Sequence, residues 1–141
     1  MVFMSGGDVE LGMRRVAEIG IAPFLRQLHR DGKPFFGASA GSIMLGRSWV
    51  RWDDPDDDAT AKTFSCLGLA DVICDTHAED DEWVELKTAL RLNGAGVGYG
   101  IPRGSALRVD GDGGLVAIGK PVVRFERRNG DVVPLAPIAP A

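Results

Sequence analysis

Over the first two-thirds of the chain, apolar positions alternate between short unbroken runs and helical spacings; beyond that they fall into short strand-like runs. Val2-Phe3-Met4 is an apolar run that stops at Ser5-Gly6-Gly7-Asp8, the pattern of a strand tip and a turn. Val9, Met13 and Val16, with Leu11 and Ile19 nearby, predict a helix up to Gly20, and Ile21, Phe24, Leu25 and Leu28 follow the i, i+3, i+4, i+7 spacing of a second. Pro23 falls in the first turn of that second helix, where its missing N–H costs little, and Gly32 closes it. Lys33 to Ala38 reads as a buried strand that runs through a tight turn into Ser39-Ala40-Gly41-Ser42-Ile43-Met44-Leu45, the start of a helix. The stretch from Arg47 to Ser65 is polar and acidic with no period, which predicts a long loop of the kind that is usually functional or mobile.

Ala70 to Cys74 predicts another strand, and Trp83, Leu86 and Leu90 mark one face of a helix over about 81–92, with Asp80 or Asp81 as its cap. Past Gly94 the pattern becomes a series of short strands: Val97–Ile101, Ala106–Val109, Leu115–Ile118, Val122–Glu126 and Val132–Leu135. Asp110 to Gly114 and the Asn129-Gly130 pair supply turns, the latter a strong hairpin signal. Alternating strands and helices followed by a meander indicate an α/β sheet with antiparallel strands appended at its C-terminal end. One domain over residues 1–141 accounts for the length, and the Pro-rich end, 134–141, reads as a tail.

Composition narrows the class. No stretch approaches the roughly 20 apolar residues of a membrane span, and the first residues lack the basic and apolar regions of a secretion signal. Cys66 and Cys74 are too few for a disulfide framework, so reduced thiols in a cytoplasmic protein are expected. The net charge of −4 is uneven: Asp53, Asp54, Asp56, Asp57, Asp58 and Glu79, Asp80, Asp81, Glu82 together hold nine of the 20 acids. The basic residues are scattered rather than clustered, which argues against a nucleic-acid partner. Taken alone, each acidic run reads as a solvated loop.

Gly37-Ala38-Ser39-Ala40-Gly41 has the nucleophile-elbow pattern, in which small neighbours let the chain turn sharply and lift a serine hydroxyl above the sheet. Its place between a strand and a helix is the context that mechanism requires. A serine needs a base, and of the two histidines His29 lies on a helix among polar neighbours while His77 follows a strand, at the sheet end where open α/β folds put their sites. Asp53 and Asp54 are both candidates for the acid that orients the histidine. Gly6-Gly7 at the first strand tip and the Ala40 amide are candidate oxyanion donors. Cys74-x-x-His77 has only Cys66 and Asp75 as further ligands nearby, so no metal is expected, and no cofactor is implied.

Taken in order, these motifs resemble the peptidase E and cyanophycinase-like serine peptidases, over about residues 2–126. Ser5-Gly6-Gly7-Asp8 is similar to that family's strand tip and Gly37-Ala38-Ser39-Ala40-Gly41 to its elbow. Leu67-Gly68-Leu69 with Asp75-Thr76-His77, and Gly100-Ile101-Pro102-Arg103-Gly104-Ser105-Ala106-Leu107, resemble two further blocks. The resemblance implies a class I glutamine amidotransferase-like, flavodoxin-like parallel sheet. It implies Ser39 as nucleophile, His77 as base, and Gly7 with Ala40 as oxyanion donors. It also favours Asp54, 15 positions after Ser39, over Asp53 as the acid.

Three departures matter. Arg103 stands where cyanophycinase-like members have Glu. Ala78-Glu79-Asp80-Asp81-Glu82 replaces positions that are usually Arg-rich, so a cationic substrate group is expected to be preferred over Asp. The family's first strands are missing before the Gly-Gly tip, so the expectation is that the reading frame is short, or that another chain covers the exposed sheet edge, as in a homodimer, or that the domain is marginal. The expectation is therefore a serine peptidase or related amide hydrolase acting on small peptides through an acyl-enzyme. The alternative is a catalytically silent member that binds a ligand or oligomerises.

Overall fold

The tip of the first strand and the serine-bearing turn are neighbours because their strands pair. In the computed structural model, which describes residues 1–94 and 96–141, β1 (Val2–Met4) runs parallel to β2 (Phe35–Gly37), with Phe3 opposite Phe36. The connection is α1 (Val9–Glu18) and α2 (Ala22–Arg30). Asp8 starts α1 by accepting the Leu11 amide at 2.7 Å, and Pro23 occupies the first turn of α2. Then come α3 (Ala40–Leu45), the hairpin β3 (Ser48–Trp52) and β4 (Ala61–Ser65), β5 (Ile73–Thr76), α4 (Val84–Asn93) and β6 (Val97–Ile101). The chain ends with the hairpin β7 (Ala106–Val109) and β8 (Leu115–Ile118), followed by β9 (Val122–Arg128) and β10 (Asp131–Ile138).

The architecture is mixed α/β. Parallel pairing is split among the described residues: β1 with β2 in one sheet, and β5 with β6 in a four-stranded sheet of order β10-β9-β6-β5 whose other pairs are antiparallel. Several expectations are corrected. The stretch from Arg47 to Ser65 is a paired hairpin with a short 53–60 loop, because Trp49, Val50 and Trp52 are residues that favour a pleated, half-buried surface and the acids occupy only the turn. The strand placed at Ala70–Cys74 sits further on, at Ile73–Thr76, where each residue finds a partner on β6.

The helix start is also different. A short 3-10 turn spans Glu79–Asp81, Glu82 and Trp83 take left-handed conformations, and α4 begins only at Val84. Asp81 accepts the Trp83 amide at 3.0 Å but caps no helix; burial of the Trp83 ring sets the entry instead. The Pro-rich end is mostly β10, in register with β9 from Asp131 to Leu135 and bulged before Ile138. Pro134 and Pro137 are tolerated there because β10 lies at the sheet edge and its outer side needs no donors.

Two groups of buried side chains hold these elements. Trp49, Val50, Ile73, Cys74, Trp83, Leu86, Leu90, Ile101 and Val122 pack between the β3–β4 hairpin, α4 and the larger sheet, joined by Ile43 of α3. Val16, Leu25 and Leu67 pack under the β1–β2 pair, joined by Met44 of α3. Phe3 and Phe36, register partners, remain 62% and 53% exposed on the opposite face of that pair. No helix among the described residues is long and apolar enough to cross a membrane.

Candidate active site

The elbow is built by two glycines. A Cβ on Gly37 would stand 2.4 Å from the backbone of Ser42, and one on Gly41 would stand 2.1 Å from the Met4 carbonyl oxygen, so the strand, turn and helix close this tightly only with hydrogen at both positions. Between them Ser39 takes φ 53° and ψ −123°, a conformation that costs an L-residue on the order of 1–3 kcal/mol and persists only where its surroundings enforce it. The Ser42 amide donates to the Ser39 carbonyl at 2.8 Å and fixes the turn from the α3 side.

His77 arrives from the end of β5. Its amide donates to the Ile101 carbonyl at 2.9 Å, and its backbone is also left-handed, with φ 46°. This brings Nε2 to 2.7 Å from Ser39 Oγ, across 38 positions of sequence. In that pair the neutral tautomer with its proton on Nδ1 leaves Nε2 free to accept the hydroxyl proton. Both residues face a cavity of about 460 Å³ that Gly7 and Ala40 also line. Neither the Gly7 nor the Ala40 amide donates a hydrogen bond among the described residues, so both are free for an acceptor bound near Ser39.

The acid candidates lie at the tip of the β3–β4 hairpin. Asp53 is paired with Lys62 and, at 2.7 Å, with Arg51, and the Lys62 ammonium chiefly holds its carboxyl below the usual range. Asp54 turns its carboxylate onto the Asp56 amide at 3.0 Å, while its own amide donates to Thr60 Oγ1. Neither carboxylate hydrogen-bonds His77, although Pro55 of the same loop lines the cavity. Arg103 is exposed, reaching Asp80 at 3.5 Å, while its amide donates to Glu79 at 2.7 Å. His29 packs edge-on to Phe35, with ring centroids 5.8 Å apart, on α2.

The cavity contains groups that the motif reading had given no role toward a substrate. Asp75, only 5% exposed, lines it beside His77 and gives one oxygen to the Thr76 amide at 2.8 Å; its other oxygen, Oδ2, is buried with no hydrogen-bond partner. Burial, with Glu85 and Asp81 nearby, pushes its pKa up to about 7, against the pull of the Thr76 and Leu86 amides. Glu85, in the first turn of α4, is likewise raised by burial and then by Asp81 and Asp8, against the pull of the Trp49 side chain. Trp49 and Trp52 form an aromatic wall. The spacing Asp75-x-His77 was the available signal for Asp75; nothing in the sequence marked Glu85, because only the packing of α4 against β5 brings them together.

Among the described residues, no group of three His, Cys, Asp or Glu is disposed to hold a metal ion. Cys66 and Cys74 are buried thiols that burial raises to about 12.

Comparison with known proteins places these features in context. Over 96 residues the chain is 28% identical to the pyridoxal 5'-phosphate synthase subunit PdxT of Geobacillus thermodenitrificans (strain NG80-2), a match covering 68% of this chain and 44% of that protein. It is 27% identical to the PdxT of Geobacillus stearothermophilus over the same shares. The chain thus spans less than half the length of these curated relatives. The model of peptidase family S51 matches residues 1–116, which include the strand tip, the elbow, the histidine and the segment through Leu107; the chain belongs to peptidase family S51.

Proposed function

We propose that this chain is a serine-type hydrolase of small peptides or amides, built on a class I glutamine amidotransferase-like fold. The observation that carries the reading is the 2.7 Å contact between Ser39 Oγ and His77 Nε2, made by a serine held in a strained elbow. Ser39 Oγ attacks the scissile carbonyl as its proton passes to His77 Nε2, and the carbonyl oxygen, now anionic, accepts from the Gly7 and Ala40 amides. The imidazolium then gives that proton to the leaving amine as the C–N bond breaks, which leaves an acyl-serine. Water, deprotonated by the same nitrogen, attacks the ester; collapse returns the proton to Oγ and releases the acid.

The third member of this machinery is Asp54, supported by the resemblance to peptidase E enzymes, which implies an acid 15 positions after the serine, and by the position of its neighbour Pro55 on the cavity wall. In that role its carboxylate exchanges the Asp56 amide for His77 Nδ1–H and holds the tautomer that attack requires.

Intact-mass labelling with a fluorophosphonate tests the reading, with Ser39→Ala and His77→Ala beside it and circular dichroism to confirm folding. The expected result is one adduct, absent in Ser39→Ala and formed about two to four orders of magnitude more slowly in His77→Ala. A folded chain that does not label is not a hydrolase of this kind, and the reading of a silent ligand-binding member takes its place.

A further inference from the structure

The carboxylates around the cavity are not equally engaged. Asp8 caps α1, Asp81 accepts the Trp83 amide, and Glu10 is met by Arg14 at 3.3 Å and by Arg51 at 3.9 Å. Arg51, the one basic side chain among the described residues that line the cavity apart from His77, is drawn to Asp53 at 2.7 Å. That leaves Asp75, with one oxygen unpartnered, and Glu85, whose only favourable neighbour is the neutral Trp49 side chain. Every charged group that perturbs these two is itself acidic: Glu85 and Asp81 for the first, Asp81 and Asp8 for the second. Asp75 Oδ2 is buried at the cavity with nothing bonded to it. A buried carboxylate oxygen without a partner is costly, and such an atom beside a nucleophile calls for a donor that arrives with a ligand.

We propose that this cavity binds a cationic group of the substrate, an ammonium or guanidinium on an alkyl stem, with Asp75 and Glu85 as its counter-charges and Trp49 and Trp52 as the wall for the stem. The identification of the ligand as substrate rests on the hydrolase reading above; the cation site itself does not. An organic cation fits better than a metal ion because no three ligating side chains converge among the described residues, whereas the half-buried Trp52 and the buried Trp49 line the same cavity and give an alkyl stem apolar surface. An acidic substrate group is disfavoured by like charge from the same residues. The selectivity therefore originates in β5 and α4, and not only in the exposed Glu79–Glu82 run.

The test, at pH 8.5 where Asp75 is ionised, titrates the full chain with N-butylguanidinium and, separately, with its neutral isostere N-butylurea, following the fluorescence of the three tryptophans, of which Trp49 and Trp52 line the cavity. A saturable change with the cation and none with the urea is expected, with Kd raised about 10-fold or more in Glu85→Gln and again in Asp75→Asn. No saturable change, an equal response to the urea, or a Kd that neither variant moves overturns the site. A saturable response to calcium chloride in place of butylguanidinium overturns the choice of an organic cation. Fluorophosphonate labelling of the same wild-type sample separates the two claims: labelling without a cation response leaves the hydrolase reading intact and removes the cation site, whereas a cation response without labelling does the reverse.

Discussion

Replacing Asp75 by Asn should make the protein more stable at neutral and alkaline pH and leave it nearly unchanged in acid. Asp75 is raised from 3.8 to about 7, so between those values the folded chain holds a proton that the unfolded chain has released. Stability then falls as pH rises through that interval, and the loss is complete above about pH 7. A shift of about three units at about 1.4 kcal/mol each sets a ceiling of about 4 kcal/mol. Asn is isosteric with the protonated acid and does not titrate, so the variant escapes the loss. Urea unfolding of both proteins from pH 4 to 8.5 measures it, with the background from the other carboxylates cancelling in the difference. With a slope of about 2 kcal/mol/M, the gap between midpoints should widen from near zero at pH 4 to as much as about 2 M at pH 8. A gap that stays constant across the range, or narrows as pH rises, refutes the argument that Asp75 is buried without compensation.

Gly41→Ala must push a methyl group into the Met4 carbonyl, so a loss of about 1–3 kcal/mol in urea unfolding is expected; unchanged stability would mean that the elbow is looser than its contacts imply. Cys66 and Cys74, buried and raised to about 12, should resist a thiol-reactive disulfide at pH 8 until the chain unfolds, and rapid reaction of the native protein would contradict their burial. Asp54→Asn should slow fluorophosphonate labelling by about two orders of magnitude without altering the circular dichroism; labelling at the wild-type rate would remove Asp54 from the mechanism.

The parts of the site that were legible in advance are those encoded by local chemistry. Gly37 and Gly41 mark the elbow because only hydrogen fits against Ser42 and Met4. His77 was legible from its place after an apolar run. The β3–β4 hairpin was not, because five acids in its loop masked the flanking Trp-Val-Arg-Trp pattern. Nor was the start of α4, where burial of Trp83 overrides the usual preference for an acidic cap. The strand expected at Val132–Leu135 is β10, but its run on to Ile138 was hidden by prolines that only an edge position permits. The charge balance of the cavity lay furthest from the sequence, since Asp75 and Glu85 meet through the docking of α4, and the indoles come from a strand that was read as a loop.

The short helix α3 carries Ser39 at its N-terminal end and contributes Ile43 to one packed group and Met44 to the other. Six residues make no stable helix by themselves, so the serine is only as well placed as the two groups that grip it. Damage far from the cavity, such as truncation of Leu25 under one sheet or of Leu90 under the other, should therefore reach the serine as a smaller share of competent molecules while each competent molecule keeps its full rate. Burst titration against total protein distinguishes a fall in head count from a fall in speed, and on this fold the count should respond first.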